Sequence, residues 1–142
     1  MEFIKELKDD MGHKFFSMYH NAGQRYLYCK WEGQTVSRDI YAGSTEEMNW
    51  AAENAARTQC IAVINDCRVL KGSLVETTEW ATNIWSPAMH KSGIKYNAIL
   101  QSDDIFSQLS LESFEEMTPG PGHIINKIFN NEQAAEEWIS GK

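Results

Sequence analysis

Three prolines and three cysteines are all the 142 residues contain of either, and basic side chains are in deficit. Cys29, Cys60 and Cys67 are odd in number and form no CxxC pair, which argues against a disulfide framework and for reduced, mostly buried thiols. No apolar run approaches the roughly 20 residues of a membrane-crossing helix. The first residues, MEFIKELKDD, lack the apolar block of a signal peptide, so the expected location is cytoplasmic. Lys and Arg number 13 against 20 Asp and Glu, a net charge of −7, and they stand singly. Such a surface repels phosphate backbones, so nucleic acid and anionic membranes are not expected partners. His13, His20, His90 and His123 are far apart without HxxxH or Cys/His spacing, and no metal is expected. Gly120-Pro121-Gly122 lacks the GxGxxG or Walker spacing that cradles a nucleotide. No organic cofactor is expected either.

What is present is core material: five Trp, six Phe and five Tyr in a chain long enough for one domain. Residues 1–13 read as an N-terminal arm that packs loosely or contacts a partner subunit. Lys14–His20 and Arg25–Trp31 read as a hairpin around the turn Asn21-Ala22-Gly23-Gln24, with Leu27, Cys29 and Trp31 on the core face. Thr35–Ala42 is a connector. Ser44-Thr45-Glu46-Glu47 has the form of a capping box, which starts a helix at about Ser44 and runs it to Gln59. Met48, Ala51, Ala52 and Ala55 form its apolar stripe, and Trp50 falls off it as a rim residue or an interface anchor.

Cys60 to Asp66 is apolar on both faces up to its acidic tip, as in a central strand covered from both sides. A surface loop should follow. Ser73-Leu74-Val75-Glu76 repeats the capping pattern, and Ala81, Ile84 and Ala88, widened by Trp80, Trp85 and Met89, make the next core stripe. Trp80 and Trp85, five apart, cannot both point at the core centre of an α-helix; one lines a pocket or a dimer seam, or both are core packing at its edges. Pro87 should kink or end this helix, and Ser92-Gly93 stops it. Ile94–Leu100 is another strand. A third helix begins at Ser102-Asp103-Asp104, with Ile105, Phe106, Leu109 and Phe114 inward. Thr118-Pro119-Gly120-Pro121-Gly122 breaks the chain, Ile124–Phe129 is a last strand, and Asn130 or Asn131 caps a closing helix. The alternation predicts an α/β domain with a mixed sheet opened by an antiparallel hairpin.

Lys30-Trp31-Glu32-Gly33, the strand Ile61–Asp66 followed by Cys67-Arg68, and the ending Ile128–Ile139 together resemble the STAS domain family, in its SpoIIAA-like group. The likeness spans about residues 14–141. It implies a single-domain mixed sheet, residues 14–142, with helices mostly on one face. It also implies a binding role through the loop and helix after the central strand, switched in anti-sigma-factor antagonists by phosphorylation of a Ser or Thr. Other members are reported to carry small or lipidic ligands. The Asp-Ser-Ser-Gly signature is missing: the region reads Leu70-Lys71-Gly72-Ser73-Leu74-Val75, with Ser73 the nearest match to the phospho-acceptor. The plainer account of Ser73 is a helix N-cap.

The expected function is accordingly a non-catalytic protein-interaction or regulatory ligand-binding module, with Asp66, Arg68, Lys71, Ser73 and Trp80 as binding residues and no catalytic residue. Its partner is a second protein or a second copy of the chain. Aromatic helices over a sheet also suit a carrier of a small apolar, lipid-like ligand. A third reading is an enzyme using Cys67, whose place beside Arg68 and before a helix could lower a thiol pKa. Asp66 and Arg68 could hold an anion or polar ligand, or simply brace the loop. Asp103-Asp104 and Glu115-Glu116, adjacent on helices, cannot face each other as acid/base pairs.

Overall fold

The computed structural model describes residues 1–117 and 120–142. Six strands form one sheet in the order β1-β2-β3-β4-β5-β6. They are β1 (Glu2–Lys8), β2 (Lys14–Asn21), β3 (Tyr26–Gln34), β4 (Ala62–Lys71), β5 (Tyr96–Leu100) and β6 (Ile125–Phe129). The pairs β1–β2 and β2–β3 are antiparallel; β3–β4, β4–β5 and β5–β6 are parallel. The parallel crossovers carry α1 (Ser37–Thr58), α2 (Val75–Trp80), α3 (Ser86–Ser92) and α4 (Ile105–Glu116), and α5 (Glu132–Ser140) follows β6. Among the described residues no helix is long and apolar enough to cross a membrane.

Handedness explains the layers. Each parallel crossover advances one strand in the same direction, so right-handed connections put every crossover helix on the same face. There Ala51, Ala55, Trp85, Met89 and Phe114 pack with Phe16, Leu27, Cys29, Val63 and Ile99 of the sheet. α5 has no later strand to reach, and its Ala135 and Ile139 seal the opposite face against Tyr26, Ala62, Ile64 and Leu100. The segment Cys60–Asp66 is the interior of the sheet, as its two-sided apolarity predicts.

Several boundaries move, each for a local reason. The segment read as an arm, residues 1–13, contributes β1, an edge strand on β2 with Phe3 edge-on to Tyr19 at 5.5 Å. Its residues are mostly exposed on both faces, so it shows no alternation to read. α1 begins at Ser37, not Ser44, with Val36 at its N-cap. Gly43, between the expected connector Thr35–Ala42 and the expected helix start, lies inside the helix, where Trp31 and Phe16 approach its backbone closely. Thr45 bonds back to the Tyr41 carbonyl (2.7 Å) instead of capping. β4 runs on to Lys71 as a strand rather than turning into a loop after Asp66. A bulge sets Lys30 opposite Asp66 but Glu32 opposite Val69, one extra residue on β4.

α4 turns its expected face outward. Ile105, Phe106 and Leu109 are exposed, while Ser107 and Ser110 are buried beside Leu111 and Phe114. Backbone groups at the end of β4 decide this. Ser107 Oγ donates to the Gly72 carbonyl (2.7 Å), and Ser110 Oγ accepts from the Leu74 amide (3.0 Å). Buried backbone groups left unpaired cost more than exposed apolar side chains lose. Asp104 caps α4 through Ser107 N, and Asn131 caps α5 through Ala134 N. Of the expected break at 118–122, Thr118 and Pro119 lie outside the described residues.

Candidate functional site

Between the sheet and its helical layer lies a cavity of about 80 Å³. Its walls are apolar, from Ile40, Leu70, Leu74, Trp85, Ile99 and Phe114, and its polar groups include Glu47 of α1, Asn65 of β4 and Asn97 of β5. The roof is α2 and the turn after it, which supply Thr77, Thr78 and Ala81. Ile40, Thr78 and Ala81 are the half-buried members of the lining and mark the mouth between α1 and α2.

The roof owes its shape to a π-helical turn, Ala81–Trp85, closed by the Ser86 amide on the Ala81 carbonyl. The i→i+5 bond brings side chains five apart nearer to one face than an α-helix does. Trp85 is buried and lines the cavity, and Trp80 packs half-buried at the edge of the same core, so only one of the two points at its centre, as expected. Ile84, read as core, is rotated out to 52% exposure. Pro87 follows at the start of α3, where a missing amide is tolerated, and the chain stays helical through it.

Glu47 is 1% exposed. Its Oε1 accepts from Trp85 Nε1 at 3.0 Å. Its Oε2 has no hydrogen-bond partner among the described residues. Burial pushes this carboxyl up to about 8, against the opposing influence of the Cys29 thiol, the Trp85 indole and the Asn65 amide beside it. At neutral pH the group is therefore mostly a neutral acid. A perturbed carboxyl facing a cavity is a mark of a functional site.

Behind it runs a chain of side-chain bonds across four neighbouring strands. Trp31 Nε1 donates to Asn65 Oδ1, Asn65 Nδ2 to Asn97 Oδ1, and Asn97 Nδ2 to Asn126 Oδ1, each at 2.9 Å. An indole nitrogen can only donate, which fixes the direction of the whole ladder. Each amide nitrogen spends one of its two hydrogens on the next member.

Asp66, Arg68, Lys71, Ser73 and Trp80, the binding residues predicted from sequence, do not line this cavity, whereas Cys67 does. Ala62, Ile64 and Asp66 face α5, whereas Val63, Asn65 and Cys67 face the crossover helices. Asp66 and Arg68 do meet: Arg68 Nε and Nη2 bind the two carboxylate oxygens at 2.9 and 2.8 Å, its amide adds a third bond, and Tyr28 OH a fourth. Burial alone would raise Asp66, but Arg68 and Tyr28 outweigh it and hold the carboxyl below its ordinary value. Burial, with Asp66 alongside, pushes the Tyr28 phenol well up. Both Asp66 oxygens are satisfied within this cluster, which braces the bulge, while the Arg68 side chain remains 41% exposed. Lys71 is exposed at the end of β4. Ser73, expected as N-cap, is exposed and accepts from Val75 N at 3.4 Å, while Leu74 holds the N-cap position. Trp80 stacks edge-on against Tyr41 at 4.9 Å. Cys67 lies within β4, buried, and burial pushes its thiol far up rather than down. Trp50 is a half-buried rim residue against His20, ring centroids 4.8 Å apart.

The sequence suggests Glu47 only as a member of the capping pattern at Ser44, and the three asparagines not at all. Two signals were there to find. Glu47 occupies the same stripe as Ala51 and Ala55, at i, i+4 and i+8, and each of three successive strands carries one Asn in an apolar setting. Among the described residues no group of three or more His, Cys, Asp and Glu side chains could hold a metal ion. Comparison of the chain with protein-family models, curated proteins and solved structures finds no match in any of the three.

Proposed function

We propose that this chain is a non-catalytic, STAS-like regulatory module that binds a small molecule in the cavity under α2 and the π turn. The observation that carries the reading is Glu47 Oε2, buried against that cavity without a partner. Native proteins rarely leave such an atom unpaired, and a polar atom of a ligand seated in the cavity would pair it. The loop and helix after the central strand thus serve as the roof of a ligand site. The STAS-like assignment is supported by the mixed sheet, its crossover helices on one face and the closing helix; the missing signature and the additional strand β1 set the chain apart from the antagonists.

The roof also bears on the outer surface. α2 packs on α4, and Val75, Ile105, Phe106 and Leu109 of these two helices are each more than half exposed. A protein partner that reads this apolar surface would sense the occupancy of the cavity below. The cavity is smaller than the 300–1,000 Å³ typical of drug-sized ligands, which favours a molecule of few atoms over a long acyl chain.

The test is an amide and indole NMR screen of the ¹⁵N-labelled chain against a library of small neutral and charged fragments. Saturable shifts of the Trp85 indole resonance, with accompanying changes at Val75, are expected. A library that leaves Trp85 unmoved, or hits that map only outside α2 and the π turn, would refute the reading.

A further inference from the structure

We propose that the cavity takes a small uncharged molecule with an apolar body and one carbonyl or hydroxyl oxygen, which accepts hydrogen bonds from Glu47 and from the amide ladder. The proposal rests on the cavity being a ligand site and names the chemistry of what fills it.

The donors and acceptors of the lining define what the cavity can hold. The amide oxygens of Asn65 and Asn97 each accept an incoming N–H of the ladder, which uses one of their two lone pairs. Asn97 Nδ2 spends one hydrogen on Asn126 and has a second, whereas the Asn65 amide, which donates to Asn97, also lies beside the Glu47 carboxyl. The floor therefore offers donors. The carboxyl of Glu47 points the same way: its Oε1 is taken by the Trp85 indole, and in the neutral acid the open Oε2 carries a proton to give. The complement of a donor-lined floor is an acceptor oxygen.

Charge gives the second half. The titratable groups that face Glu47 are the thiols of Cys29 on β3 and Cys67 on β4, both raised by burial and hence uncharged at neutral pH. The π turn contributes Trp85, β4 also contributes Asn65, and α2 and α4 contribute only hydroxyl and apolar side chains to the lining. No basic side chain lines the cavity among the described residues, so an anionic ligand has no counter-charge there. A cationic amine would have to ionise Glu47 before pairing with it, in a site whose burial opposes that ionisation. A neutral acceptor needs neither step.

The experiment uses four probes of similar size on the intact chain: cyclopentanone and propanamide as neutral acceptors, propylammonium as cation and propionate as anion. Each is titrated while the Trp85 indole resonance is followed, at pH 6, 7, 8, 9 and 10. Expected is saturable binding of a neutral acceptor at pH 6, at least tenfold tighter than either ion. That affinity falls about tenfold per pH unit above pH 8 as Glu47 loses its proton. In Glu47→Gln, which keeps a donor at that position, the fall disappears, so the variant binds the neutral probe more than tenfold tighter than the parent at pH 10. Preference for propylammonium, or a neutral-probe affinity that ignores pH in the parent, overturns this inference and leaves the cavity as a ligand site. Failure of all four probes to move Trp85, when other library fragments do so, overturns the ligand class alone; failure of every compound removes both readings.

Discussion

Trp85 donates its indole N–H to Oε1 of Glu47 at 3.0 Å, across 38 residues of sequence. The bond ties the π turn to the middle of α1 over the cavity. It satisfies one oxygen of a carboxyl that has no contact with water, and leaves the other to the cavity. The roof, the sheet and the first helix are thus coupled through one acid, and its protonation should be visible in the stability of the whole domain.

Glu47 makes stability fall as pH rises. Its value in the folded chain, about 8, lies above the ordinary 4.5. Below the ordinary value both states hold the proton and the contribution is complete. From there to about pH 8 the unfolded chain gives up a proton that the folded chain keeps, which costs about 1.4 kcal/mol per pH unit. Above that range both states are ionised and the loss is finished. Glu47→Gln has no proton to lose, so its stability relative to the parent should climb across this window and then level. Urea unfolding at pH 5, 6.5, 8 and 9 measures it; a constant difference between the two proteins would mean that Glu47 is ionised throughout.

Gly43→Ala should destabilise, although alanine is the better helix former by about 1 kcal/mol. A Cβ there would lie 2.4 Å from Trp31 Cη2 and 2.9 Å from Phe16 Cδ1. Both are ring atoms of buried side chains, stacked on each other at 4.6 Å. Overpacking of this kind typically costs about 1–3 kcal/mol. Because Trp31 also heads the asparagine ladder, its displacement should disturb Asn65. Thermal unfolding of the variant gives the sign; a raised midpoint would show that the rings yield without cost.

Gly43 also illustrates what the sequence could and could not disclose. Patterns that depend on burial alone were legible. Leu27, Cys29 and Trp31 alternate inward as read, the two-faced run before Asp66 lies inside the sheet, and Asn131 caps α5. Signals with two meanings were not. Ser44-Thr45-Glu46-Glu47 has the spacing of a cap but sits mid-helix, since a glycine that admits an indole looks the same as one that ends a connector. Ile105, Phe106 and Leu109 lost the inner face of α4 to serines, because unpaired backbone groups near Gly72 and Leu74 made demands that no local pattern records. The π turn broke a period of 3.6 that the stripe of Ala81, Ile84 and Ala88 presupposes. The ladder joins residues 29 to 34 positions apart, and Glu47 was read as the acidic partner of a capping box because buried carboxylates are rare.

Asn97 is the link whose loss should cost most in that ladder. It accepts from Asn65 and donates to Asn126, and it is 2% exposed. Asn97→Ala removes the acceptor of a buried amide, for which about 1–3 kcal/mol is expected. Asn97→Asp restores the acceptor for Asn65 but cannot donate to Asn126 and places a carboxyl in an apolar wall, so it should be the worse of the two at pH 8 and recover toward pH 4 as that carboxyl is protonated. Chemical denaturation of both variants at the two pH values checks the order. An alanine variant within about 0.5 kcal/mol of the parent would show that the ladder adds nothing to stability.

Arg68 should act through Asp66 and in the opposite pH direction to Glu47. Asp66 is held below its ordinary value of 3.8, so the stability it contributes is present above that value and is lost as pH falls through the folded one. Arg68→Met keeps much of the aliphatic stem but removes both side-chain bonds to the carboxylate, and burial then raises Asp66. The Arg68 side chain is 41% exposed and screened by solvent, so the cost at pH 7 is placed at about 1–3 kcal/mol, below that of breaking a fully buried pair. As pH falls through the depressed folded value Asp66 gains its proton in the folded chain as well, and the difference between variant and parent should shrink. Urea unfolding at pH 3 and pH 7 separates the two ways in which the residue can contribute. A deficit that narrows in acid identifies the charge pair as the source, whereas an equal deficit at both values assigns the effect to packing of the arginine stem on the bulge.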